Sequence, residues 1–277
     1  MKLILIIFLL IFPIFFSCSA KTSMPKATIV RDTERILQKA EKSLTASDMD
    51  SKELIETALS LSIATNIPDL KIKALLLKVN YELRENKIED AIKTLNRAKE
   101  LSIKENPVMI SYVKYYEMLI AYLTKDNETL NSFLKETENY TEDVLCGINI
   151  LKALIFVKSK KLDLAERYAN ASLKISENKN FLVEKSFSIK ILSYIYLQKN
   201  NLEKAQSLIN ESLVVDRSLN LLDYIYWDLE FLAKIYLIKG ENENALYYYK
   251  SAYELALSNK NQAKSSYFKS IIDNLLK

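Results

Sequence analysis

Three stretches of the chain lie over one another in register, without gaps, at a spacing of forty residues. Ala153, Ser193 and Ala233 share one column, and Phe156, Tyr196 and Tyr236 share another. Ala165, Ala205 and Ala245 make a third, followed by Ser172, Ser212 and Ala252. Small, aromatic, small and small residues recurring at one period mark stacked structural units, none of which buries its apolar face alone. Such a chain offers a row of equivalent surface positions, which points to binding without naming what is bound.

Composition decides what the units are made of. The chain has two glycines in 277 residues, far below the usual share of roughly 7%. Sheets need tight turns and tight turns draw on glycine, so all-β and α/β folds are disfavoured. Glycine-rich phosphate loops are excluded. An all-α chain remains, and the spacing agrees. Between Asp223 and Asn259, Leu229, Leu232, Ala233, Tyr236 and Leu237 follow helical periodicity up to Lys239-Gly240. A second helix then carries Ala245, Leu246, Tyr249, Ala252, Tyr253 and Ala256. Gly240 suits the left-handed end of the first helix, and Glu243 suits the first turn of the next. The same corner recurs at Asn200 with Glu203, Asn86 with Glu89, and Lys160 with Asp163.

These residues resemble the tetratricopeptide repeat. In that family a small residue on the first helix packs near a small one on the second, and an aromatic locks the pair. Ala233, Tyr236, Ala245, Tyr249 and Ala252 occupy those places. Helices come within about 8 Å only where side chains are small. The period of forty, against 34 in the family, predicts helices longer by about a turn. Residues 69–104 form a further pair around Leu77, Tyr81, Ala91, Leu95 and Ala98, with one extra residue in the turn. Ile36–Leu44 and Leu54–Ile63 form another pair, and residues 107–140 a degenerate one. Residues 261–276 read as a lone capping helix with Tyr267, Phe268, Ile271 and Leu275 on its inner face. The expected architecture over residues 29–277 is one all-α domain: a right-handed superhelix, or solenoid, of about six antiparallel helix pairs with a C-terminal capping helix.

The N-terminus reads differently. Lys2 precedes an apolar run over residues 3–16 that only Pro13 interrupts. Fourteen helical residues rise about 21 Å, short of a hydrocarbon core of roughly 30 Å. A cleaved signal over residues 1–17 is therefore expected. Phe15-Phe16-Ser17-Cys18 resembles the lipobox of bacterial lipoproteins, with Phe15 where Leu is usual. The resemblance implies lipidation at Cys18, a tether over residues 18–28, and a lipid-anchored protein of the bacterial cell envelope, facing the periplasm or the cell surface.

Charge and residue types bound the chemistry. Thirty-nine basic residues stand against 35 acidic ones. They are interspersed, so no stripe suggests nucleic acid. There is no histidine, which removes the commonest general base and metal ligand. Cys146 reads as a small core residue. No catalytic residue, metal site or cofactor is expected. In the repeat family first helices line the concave face. The resemblance then places Trp227, Phe231 and Lys234 there, with Phe187, Lys190 and Tyr194 one repeat earlier. Leu154 and Lys158 come before those, and Tyr116 and Glu117 come from the degenerate pair. Aromatic rings mixed with lysines suit a protein or peptide partner with apolar anchors and acidic groups. Phe187, Phe231 and Trp227 fit equally well between packed helices. The expected role is a scaffold for a partner polypeptide. The alternatives are a receptor for a small ligand or signalling peptide, and a surface lipoprotein with a host or environmental partner. The oligomeric state is not read from the sequence.

Overall fold

The computed structural model describes residues 28–46, 50–135 and 140–277. The leader, the tether and Cys18 lie outside them. Among the described residues there are thirteen α-helices and no strand. They are α1 (Thr28–Ala46), α2 (Ser51–Thr65), α3 (Pro68–Arg84), α4 (Ile88–Glu105), α5 (Ile110–Thr124), α6 (Asn127–Lys135), α7 (Glu142–Lys158), α8 (Leu162–Lys179), α9 (Leu182–Gln198), α10 (Leu202–Ser218), α11 (Leu222–Lys239), α12 (Asn242–Ser258) and α13 (Gln262–Leu275). A short 3₁₀ turn over Pro107–Met109 precedes α5. This is the expected all-α array of six helix pairs and a closing helix. None of the described helices is long and apolar enough to cross a membrane. The chain forms two compact units that divide between Leu151 and Lys152, inside α7.

In the second unit each helix and its turn occupy twenty residues. Lys160, Asn180, Asn200, Asn220, Gly240 and Lys260 all have φ between 53° and 78°. Each closes a helix in the same way: the next amide donates to a carbonyl five residues earlier, as in Lys161 N to Phe156 O (2.9 Å) and Glu241 N to Tyr236 O (2.9 Å). This is the Schellman turn, which satisfies carbonyls that a helix end otherwise leaves unpaired. The four corners read from the sequence, at residues 86, 160, 200 and 240, all adopt it.

One expectation is corrected. Lys87 N donates to Glu82 O (2.8 Å), so the α3–α4 turn has the same length as the others. No extra residue is inserted there. Glu82, not Tyr81, occupies the column of Phe156, Tyr196 and Tyr236.

The small columns do the packing foreseen for them. Ala153, Ser193, Ala233, Ala165, Ala205, Ala245, Ser172, Ser212 and Ala252 are all fully buried. Ser193 also donates to the carbonyl of Ala205 across the helix pair (2.7 Å). The aromatic column is half-buried and stitches helices together. Phe156 stacks on Tyr168 and Tyr236 on Tyr248, with ring centroids 5.5 and 5.4 Å apart. The Tyr196 hydroxyl bonds Glu166, and Gln206 donates to the Tyr236 hydroxyl (2.6 Å). Three residues further on, Lys199 pairs with Asp163 and Glu166 (2.7 Å each), and Lys239 pairs with Glu203 (2.7 Å). A ring and a lysine at the end of a first helix therefore clamp the preceding second helix, twice at the same period.

The closing helix differs from expectation on one face. Phe268 is fully buried and Ile272 nearly so, but Tyr267 and Leu275 are exposed. Position 267 lies one residue, about 100° of helix, from the buried Phe268.

Candidate functional site

The second unit carries a row of rings on its first helices. Phe187, Trp227 and Tyr267 stand forty residues apart on α9, α11 and α13. The Trp227 ring stacks on Phe231, nearly parallel, with centroids 4.8 Å apart. Tyr194 meets the same Phe231 ring at 6.5 Å, and Phe187 meets Tyr224 at 6.4 Å. Phe231 is buried beneath Trp227 and Tyr194, and those two rings and Phe187 are half-buried. Tyr267 extends the row, 44% exposed, its hydroxyl donating to Glu230 (2.9 Å). Lys234 is exposed and pairs with the same Glu230 carboxylate. Lys158 is exposed at the end of α7, and Leu154 is half-buried one turn earlier.

Lys190 does not join that row, which corrects its placement on a solvated groove. Its side chain is 4% exposed and its ammonium is surrounded. It pairs with Asp216 and, at 3.2 Å, with Asp228, and donates to Ser186 and Ser212 at 2.7 and 2.6 Å. Ser186 also donates to Asp216 (2.5 Å). The Tyr224 ring lies 5.2 Å away. Both aspartates are fully buried. Two carboxylates and one ammonium would leave a net buried negative charge, which is costly in a low-dielectric interior. Burial pushes the Asp228 carboxyl well above the ordinary carboxylate range, beyond what the neighbouring Lys190 pulls back, and Asp216 raises it further. A proton on Asp228 neutralises the cluster. One period later the same columns hold Tyr226, Ala252, Ala256 and Phe268, all buried and apolar in contact. The signal in the sequence is partial: Asp216 and Asp228 sit in columns that continue with buried Ala256 and Phe268, whereas the column of Lys190 continues with half-buried Glu230.

In the first unit Tyr116 is buried, with its phenol facing Asn80. Burial raises its pKa, and the nearby Glu41 raises it further. Glu41 itself is pushed up to about 7 by burial, against the pull of Lys73 and Lys42. Its Oε1 has no hydrogen-bond partner. Glu117 pairs with Lys99 of α4 (2.7 Å) and lines a hollow between α4, α5 and α6. Cys146 is fully buried, as its apolar neighbours implied. Among the described residues, no three His, Cys, Asp or Glu side chains are grouped so as to hold a metal ion.

No family model matches the chain, and no curated protein matches it. Solved structures do match, among them the crystal structure of BtubC (BKLC) from P. vanneervenii. It is 14% identical, with 84% of this chain and 93% of that chain covered and a TM-score of 0.41.

Proposed function

We propose that this protein is a non-catalytic, lipid-anchored scaffold of the bacterial envelope that holds a partner polypeptide against the first-helix face of its second unit. The observation that carries the reading is the row Phe187, Trp227 and Tyr267 at one period, with Trp227 stacked on buried Phe231 and Tyr194 against the same ring. Partly exposed rings, each held by a neighbouring ring and repeated at one period, supply contact area at little entropic cost, which is how binding hot spots are built. Lys234 and Glu230 at its edge offer both signs of charge, so the partner combines apolar anchors with polar flanks.

The anchor rests on Cys18 and the leader-like residues before it. Three acyl chains, as in the lipoprotein family, hold a protein to a membrane far more firmly than one. Globomycin treatment or Cys18→Ala is expected to leave the leader uncleaved, so that a larger precursor accumulates, and Cys18→Ala to abolish labelling with palmitate. Unchanged processing and labelling would remove the anchor from this reading.

The groove has a separate test. Affinity capture of the native, membrane-extracted protein should recover a partner that is lost with Trp227→Ala, while circular dichroism and melting stay close to wild type. Trp227→Ala deletes half-exposed area, so a cost of roughly 1–3 kcal/mol in binding is expected. A partner equally retained by Trp227→Ala and Tyr267→Ala would place binding elsewhere.

A further inference from the structure

The degenerate helix pair lacks the clamp that α9 and α11 share. Counted from its left-handed residue, Lys125, α5 ends as α7, α9 and α11 do: Asp126 N donates to Ala121 O (2.9 Å). Ala121 therefore stands in the column of Phe156, Tyr196 and Tyr236. Thr124 stands in the column of Lys199 and Lys239. Both long side chains that elsewhere reach back to the preceding second helix are short here. Glu89, at the start of that preceding helix α4, still keeps the acidic column of Asp163 and Glu203.

At this place the structure has a hollow of about 420 Å³. Ala121 and Thr124 line it, and so does Ile92, which occupies the column of Glu166, the carboxylate that receives the Tyr196 hydroxyl. Leu95 and Phe133 complete its apolar walls. Glu117 adds a polar wall in a column where Leu192 and Leu232 are core residues, and Lys99 holds its carboxylate. Asp126 lies at the mouth, where it caps α6 by accepting from Thr129 N (3.1 Å). The volume lies in the range of small-molecule sites, which combine apolar walls with a few placed polar groups.

We propose that this hollow binds an aromatic amine, with a flat ring seated over Ala121 in place of the missing tyrosine and an ammonium taking the place of the missing lysine, toward Asp126 and Glu89. In the second unit the corresponding columns carry that pair of groups, Tyr196 with Lys199 and Tyr236 with Lys239. Of the two lining carboxylates Glu117 is already paired with Lys99, and Asp126, with no basic side chain in the lining, is left to favour a cation. The ligand chemistry is either a free arylalkylamine or a tyrosine beside a lysine on a polypeptide. The site belongs to the first unit, and its success or failure is independent of the ring row on α9, α11 and α13.

The test is calorimetric titration of the full chain with tyramine and with p-cresol, its amine-free counterpart. Saturable tyramine binding, about tenfold tighter than p-cresol, is expected. Ala121→Tyr fills the hollow from within and should abolish tyramine binding while raising the melting temperature. Asp126→Asn with Glu89→Gln keeps the cap, because asparagine caps helices well, and should erase the preference for tyramine over p-cresol. Displacement of tyramine by a short peptide with adjacent Tyr and Lys would assign the ligand to a polypeptide; no displacement would assign it to a free amine. Absence of saturable binding, or tyramine binding unchanged in Ala121→Tyr, overturns the proposal. Should Ala121→Tyr not fold, an undiminished amine preference in the Asp126→Asn, Glu89→Gln variant overturns it equally.

Discussion

Lys190 shows how one side chain can carry opposite roles in sequence and in space. Its neighbours Phe187 and Tyr194 belong to a half-exposed face, and a helical turn separates it from both. Its ammonium is turned inward to Asp216 and Asp228, 26 and 38 residues further along the chain. Removing it by Lys190→Met leaves a buried carboxylate uncompensated, so a loss of about 3–5 kcal/mol in urea unfolding is expected. Asp228→Asn behaves otherwise. The folded state keeps a proton on Asp228 at pH values where the unfolded chain has released it, so stability declines as pH rises from the ordinary value of 3.8 toward the raised one. Asp228→Asn removes that decline, and its advantage over wild type should grow between pH 4 and pH 7. Glu41 follows the same sign: wild type loses stability relative to Glu41→Gln as pH climbs from 4.5 to about 7. An advantage that shrinks with pH in either variant would show the carboxyl to be ionised in the fold.

At the scale of elements, the turns explain why the repeat period is so strict. A left-handed residue every twenty positions admits glycine or asparagine readily, and lysine at some cost, so the corners at 86, 200 and 240 were readable from residue type. Those at Asn180 and Asn220, which join one helix pair to the next, use the same device and carry no stronger local signal. Tyr81 has the residue type of the aromatic column but lies one position off it; hydrogen bonding puts Glu82 there instead. Helix packing sets a different limit at Gly147, inside α7. A Cβ there would lie 2.8 Å from the Tyr115 ring, which is itself fully buried. Alanine raises helix propensity by about 1 kcal/mol, but overpacking a fixed core costs about 1–3 kcal/mol. Gly147→Ala should therefore destabilise the first unit, and Tyr115→Leu in the same chain should relieve most of the added cost. A more stable Gly147→Ala protein would mean the ring can move.

For the molecule as a whole, each helix in the array packs chiefly on its neighbours in the chain, so stability should be local in the way repeat proteins are. The buried contact of α13 is Phe268 and Ile272, against the apolar cluster that contains Tyr226, Ala252 and Ala256. Deleting residues 261–277 uncovers that cluster. Hydrogen exchange should then lose protection first in α11 and α12, with α8 and α9 much less affected. Uniform loss across the second unit would instead indicate one cooperative globule. The exposed ring of Tyr267 is removed by the same deletion, so the ring row on α9 and α11 is best tested in the full chain.

The amino-acid sequence determined the helices, their pairing in chain order, the corners between them and the closing helix. These depend on local hydrogen bonding and on small residues at a fixed period, and both are written in residue order. It also marked Cys146 and Tyr249 as core, since each follows from position on a single helix. The tertiary structure alone decided which first-helix residues face outward, that Lys190 is enclosed by two aspartates, and that Ala121 and Thr124 leave a hollow. Each of those outcomes requires three helices to meet. Helical spacing fixes the direction of a side chain about its own axis, but what lies opposite it is set by segments far away in sequence.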